Sequence, residues 1–177
     1  MRKLCLILAI LSMLLIVSSC GVTEPADSEI HIAYQKAFEF YITLDADSLP
    51  LDPDAERVED YYWKVKHDTI KTYDDLRNYL YDIFSKELAD QIMTSLGERY
   101  KDINGELYVM AGARGTDIFK GAETYEIIKQ NSKKYTYRVT VEVFGDDLET
   151  VVDHEVHDMT YEYIGEKWVW TKFNLFV

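Results

Sequence analysis

KYTYRVTVEVF, Lys134 to Phe144, is the run whose reading decides the fold. Its character alternates residue by residue. Tyr135, Tyr137, Val139, Val141 and Val143 fall on one face, and Thr136, Arg138, Thr140 and Glu142 on the other. Side chains on a strand point alternately to its two faces, so this run predicts a strand with one side on a core and one in water. Strands of that kind build antiparallel sheets covered on one side. Gly145-Asp146-Asp147 follows as a hairpin turn signal.

The same period of two extends outward from this run. Downstream it predicts a strand over 149–163, with a β-bulge near His157–Asp158 where the alternation slips. Gly165-Glu166 makes a last turn, and 167–176 closes the sheet. Upstream it predicts strands at 123–130, 106–111 and 60–67. Earlier still the period changes to 3.6. Ile30, Ala33, Tyr34, Ala37, Phe38, Tyr41 and Ile42 form one apolar stripe, a helix over 29–44 capped by Ser28 or Asp27. Thr72-Tyr73-Asp74-Asp75 has a capping-box pattern and opens a helix over 73–84. Ser85 caps another over 86–96, which Gly97 ends. Helices first and strands after mean an α+β domain, with the helices on one face of a curved antiparallel sheet of five to six strands. No repeat or second domain boundary interrupts 29–177.

The chain starts MRKLCLILAILSMLLIVSSCG. A basic start, a short apolar run and small residues before a cysteine read as a secretory signal over 1–19. The pattern resembles the lipobox of bacterial lipoproteins, which implies cleavage before Cys20 and lipid on its thiol. An ordinary signal peptide with a coincidental cysteine, or an uncleaved anchor, is the alternative. Residues 20–28 then read as a lipidated cysteine and a short polar tether, spanning roughly 15 Å. The expected location is the outer face of the bacterial cell membrane. Cys5 leaves with the signal, so Cys20 is the one cysteine of the mature chain, and disulfides, thiolate zinc sites and cysteine nucleophiles are not expected.

Charge narrows the partners. The chain has 19 Lys+Arg against 32 Asp+Glu, a net of −13. Losing Arg2 and Lys3 with the signal leaves 17 against 32, a net of −15. Such a surface repels nucleic acid and anionic headgroups and attracts a basic protein or divalent cations. It equally well serves solubility alone.

Three stretches carry candidate chemistry. The first is Gly112–Gly121, GARGTDIFKG, which breaks the strand rhythm and is longer than a tight turn requires. Long loops often carry function, so Arg114, Gly115, Thr116, Asp117 and Phe119 are candidate partner-binding residues. The alternative is a structural loop whose Arg114 ties down nearby carboxylates. The second is Asp153-His154-Glu155-Val156-His157-Asp158, with Asp153, Glu155 and His157 on one strand face. That set resembles a metal site, but it is also what a solvated strand looks like, and no metal is expected. The third is the aromatic end, Trp168, Trp170, Phe173 and Phe176, read as core. No GxSxG, Walker or dinucleotide-binding glycine pattern is present, and no catalytic residue or cofactor is expected.

Four segments carry a family resemblance: YYWKVKHDTIKTYDDLRNYL (61–80), IFSKELADQIM (83–93), DINGELYVMAGARGTDIFKGAETYEI (102–127) and YEYIGEKWVWTKF (161–173). In this order and spacing the chain resembles bacterial lipoproteins grouped with the IseA family of DL-endopeptidase inhibitors, over roughly 30–177. The resemblance implies a non-catalytic inhibitor of NlpC/P60-type endopeptidases, enzymes that cut peptidoglycan stem peptides. Its partner would be a cell-wall endopeptidase with a basic surface, met close to a membrane held through the N-terminal lipid. The layout is also similar to NTF2-like and cystatin-like domains, an analogy of fold. It leaves open a ligand-binding or scaffold module at the envelope, or a pocket enzyme. A deep aromatic cavity with a buried carboxylate would favour these alternatives. A filled core with an exposed 112–121 loop would favour the inhibitor.

Overall fold

Four of the alternating runs pair in chain order. The structure, a computed structural model, describes residues 22–112 and 115–176. In it β4 (Lys120–Asn131), β5 (Lys134–Phe144), β6 (Val151–Ile164) and β7 (Lys167–Lys172) form a four-stranded antiparallel sheet. On β5, Tyr135, Tyr137, Val139 and Val141 are buried, as their spacing requires. Tyr137 sits opposite Ile127 on β4 and Met159 on β6. The bulge expected at His157–Asp158 is absent, because β5 and β6 pair without a break from Asp153 to Glu162. The slip falls instead at Thr160/Tyr161, where β6 meets β7. The closing strand ends at Lys172, and 173–176 runs on as coil.

A second sheet forms from β1 (Tyr62–Lys64), β2 (Tyr100–Ile103) and β3 (Glu106–Met110), in the order β1-β3-β2. The α+β class stands, but the strands divide into two sheets of three and four. β2 escaped the sequence reading because YKDI is four residues long, too short for a period to show. The acidic connector after the first helix serves this smaller sheet. Asp52 donates its N–H to the Lys64 carbonyl at 2.8 Å, and Lys66 to that of Pro50 at 2.7 Å. Leu49 is buried.

The helices are α1 (Asp27–Asp45), α2 (Tyr73–Ile83) and α3 (Lys86–Leu96). Their caps follow from side-chain oxygens. Thr72 Oγ1 accepts from the Asp75 N–H at 3.0 Å, and Asp75 accepts in return from Thr72 N–H at 2.9 Å. Ser85 Oγ accepts from Leu88 N–H at 3.3 Å. α1 starts earlier than expected. Its cap is Ala26, not Ser28 or Asp27, and the Glu29 carboxylate accepts the Ala26 N–H at 2.8 Å. A carboxylate in the first turn satisfies a free donor and suits the helix dipole, which offsets the weak capping residue.

One core joins these parts. It runs from Ile30, Tyr34, Ala37 and Leu44 on α1 through Leu76, Leu80, Ile92 and Leu96 to Leu107, Val109, Tyr137, Met159 and Trp170. The α2–α3 junction covers the β7 edge: Ser85 donates its N–H to the Trp170 carbonyl at 2.8 Å, and Phe84 bridges Trp170 in parallel. β4 is therefore the open edge of the larger sheet, with its middle residues exposed.

Candidate functional site

The 112–121 loop connects the two sheets, leading from β3 into β4. Arg99 donates to the Gly112 carbonyl at its start. At its end Asp117 closes a turn, with Oδ1 accepting from Phe119 N–H at 3.0 Å and its carbonyl accepting from Lys120 N–H at 3.2 Å. Phe119 is fastened through its carbonyl to Phe144 N–H at 2.8 Å. Gly115 has φ +77, a left-handed conformation that favours glycine. Between these anchors Thr116, Asp117, Ile118 and Phe119 are all exposed, Ile118 to 66%. Two large apolar side chains thus stand in water at a pinned turn. Arg114 and Cys20 lie outside the described residues. Ile118 is the loop residue that the sequence reading passed over, and its apolar character beside Phe119 was the signal.

The β6 cluster divides as a strand must. Asp153, Glu155 and His157 face the core side of the sheet, opposite Val143, Val141 and Val139, while His154 and Asp158 face away. Protein groups engage most of them. Lys120 pairs with Glu155, which also meets His157 Nε2 at 3.2 Å. Arg138 holds Asp158 through two bonds of 2.7 and 2.9 Å, and its charge and hydrogen bonds keep that carboxyl below the usual range. Phe176 stacks on His157 at 4.6 Å. Among the described residues, no group of three or more His, Cys, Asp or Glu is placed to hold a metal ion.

A cleft of about 380 Å³ opens between α1 and the β4–β5 pair. Near-parallel rings line it. His31 stacks on Tyr125 at 4.2 Å, Tyr125 on Tyr137 at 5.3 Å, and Tyr137 on Tyr34 at 4.4 Å. His31 Nδ1 and the Tyr137 hydroxyl are 2.6 Å apart, and the Tyr34 hydroxyl donates to Glu123 at 3.4 Å. Burial pushes the Tyr34 and Tyr137 hydroxyls well above the ordinary tyrosine range, and the Glu123 charge adds to the effect at Tyr34. Both therefore stay protonated rather than serving as bases. Sequence reading placed Tyr34 and Tyr137 on apolar faces and gave His31 no role. It did not bring them to Tyr125, because that meeting depends on the β4–β5 register and on where α1 crosses the sheet.

The aromatic cleft holds no buried carboxylate, since Glu39 and Glu123 are exposed, and the described part of the loop, 115–119, stands in water. The model of the IseA DL-endopeptidase inhibitors matches residues 27–174, nearly the whole described chain. The chain belongs to the IseA DL-endopeptidase inhibitor family. No curated protein matches it. Membership of the IseA family makes an endopeptidase the kind of partner to consider, so exposed surface matters more than any enclosed cavity. The 115–119 turn and the aromatic cleft are then two surface features to weigh among the described residues.

Proposed function

We propose that this chain is a non-catalytic inhibitor of NlpC/P60-type peptidoglycan endopeptidases. It is exported, cut before Cys20 and held at the outer face of the cell membrane by lipid on that residue. The family match over 27–174 carries the inhibitor reading, and the basic start, apolar run and small residues before Cys20 support the export and the anchor. The exposed turn from Thr116 to Phe119 serves as a contact that enters or covers the enzyme's cleft, with Ile118 and Phe119 as apolar anchors and Asp117 setting the turn. The acid surplus steers the protein toward a basic catalytic domain. The anchor keeps the encounter close to the membrane. Only Gly21 and Val22 separate Cys20 from Thr23, whose carbonyl accepts the Trp168 indole N–H at 3.1 Å.

The full chain, purified in detergent, is mixed with several NlpC/P60 endopeptidases and cell-wall substrate. Slowed hydrolysis is expected, and unaltered hydrolysis by all of them rejects the inhibitor role. Ile118→Ser with Phe119→Ser is expected to weaken inhibition at least tenfold, since buried aromatic and aliphatic anchors at an interface are worth about 2 kcal/mol or more. Unchanged inhibition removes the turn from the contact. Cys20→Ala is expected to move the protein from the membrane fraction to the medium.

A further inference from the structure

The aromatic cleft has a charge imbalance that its packing does not explain. Two carboxylates line it, Glu39 from α1 and Glu123 from β4, together with Gln35 and the ring stack, and among the described residues no lysine or arginine does. Four other carboxylates on or against the sheet are matched with cations: Glu155 with Lys120, Asp158 with Arg138, Glu162 with Lys134 and Glu24 with Lys129. In the cleft, among the described residues, Glu123 receives only the long Tyr34 hydroxyl bond. Tyr125 is exposed to 53% although its neighbours Tyr34 and Tyr137 are buried, so the stack ends at an open mouth.

Aromatic faces carry negative charge density, and a cation close to them is attracted electrostatically. Carboxylates on either side add ordinary charge attraction, strengthened where the cleft wall excludes water. The volume sits at the lower end of the range for ligand sites, roughly 300–1,000 Å³, which suits a single side chain better than a large molecule. A guanidinium also stacks flat on rings, which matches the near-parallel set here. The overall acid surplus delivers cations to such a mouth.

We infer that this cleft receives one cationic side chain, an arginine or lysine of the protein partner, between the Tyr125–Tyr137 wall and the Glu39 and Glu123 carboxylates. The inference rests on the inhibitor reading for its partner and adds a second contact apart from the 115–119 turn. It also assigns residues: Tyr125 supplies the π surface and Glu123 the counter-charge.

The test uses N-acetyl-arginine amide as the probe and the neutral N-acetyl-norleucine amide as its control. Each is titrated into the full chain in detergent, with aromatic NMR signals as the readout. Saturable shifts at Tyr125, Tyr34 and Tyr137 with the arginine probe alone are expected. Glu123→Gln and Tyr125→Ala, both at exposed positions, should each weaken probe binding about tenfold, whereas Glu87→Gln, which removes the same charge from α3, should not. Equal shifts with the neutral probe, no saturable shift, or equal loss in Glu123→Gln and Glu87→Gln overturn the inference. The same proteins are then assayed against the endopeptidases. Probe binding without any inhibition sinks the inhibitor reading and leaves the cleft standing. Full inhibition by Tyr125→Ala sinks the cleft contact and leaves the inhibitor standing.

Discussion

Trp170 is where most of the core meets. It is 1% exposed and stands edge-on to Tyr34, Tyr137 and Phe173, with ring centres 6.4, 6.0 and 5.4 Å away. Its indole N–H donates to the Ala33 carbonyl at 3.3 Å, so one side chain binds sheet, helix and C-terminal coil. Trp170→Ala leaves a large void among rigid rings. It should cost about 3–5 kcal/mol in urea denaturation. Trp170→Phe should cost less, since much of the volume stays and chiefly the N–H bond is lost. Asp147 shows a different residue-scale effect. The Thr150 hydroxyl at 2.6 Å and the Thr150 and Glu149 amides at 2.9 and 3.1 Å hold its carboxyl down to about 2. A carboxyl held low in the folded state contributes stability that is complete above its unfolded value of about 4. That contribution is lost as pH falls through about 2. NMR titration of Asp147 should show a midpoint near 2. The Thr150 amide should move with it, and Asp147→Asn should abolish that movement.

At the scale of elements, α2 and α3 behave as a clamp on β7. Their junction supplies the bond from Ser85 N–H to the Trp170 carbonyl, so the clamp depends on both helices starting where they do. Thr72→Ala removes the side-chain acceptor for Asp75 N–H and half of a reciprocal pair. It should lower stability by about 1 kcal/mol in thermal or urea unfolding, while Thr72→Ser should lose much less. The β4 edge is handled otherwise. Its ladder with β5 shifts register at Lys120/Glu123 and again at Lys129/Asn131. Irregularities at both ends of an open strand discourage a second chain from pairing along it. They also turn the Lys120–Glu123 segment, so that Glu123 reaches the cleft while Phe119 remains in the loop.

Across the whole molecule the excess of 32 acidic over 19 basic residues is the dominant long-range property. If the partner is basic, the association rate with an inhibited endopeptidase should fall steeply as salt rises from about 50 to 500 mM, because screening shortens the reach of the field to a few Å. The dissociation rate should change little, since close contacts set it. Stopped-flow mixing reads both, and a salt-independent association rate would show that charge plays no part in the encounter. The N-terminal segment matters at the same scale. Glu24 pairs with Lys129 and accepts from the Tyr135 hydroxyl at 3.1 Å, so residues read as tether lie against the sheet and leave little slack.

Local pattern determined a great deal here. The α+β class, the three helices, the Thr72 and Ser85 caps and the inward face of β5 are all set by the spacing of apolar residues and by oxygen-bearing caps, which act within a few positions along the chain. The exposure of the 115–119 turn agrees with its broken rhythm. Tertiary structure decided what depends on distant pairing. It split the strands into two sheets, because β2 is too short to display a period and both β1 and β2 gain their partners only through β3. It also built the cleft, for His31 and Tyr137 are 106 positions apart and meet only when α1 crosses a sheet whose register is already fixed. A period tells which face a side chain takes. Which other face it meets is set by packing, and packing is a property of the whole chain.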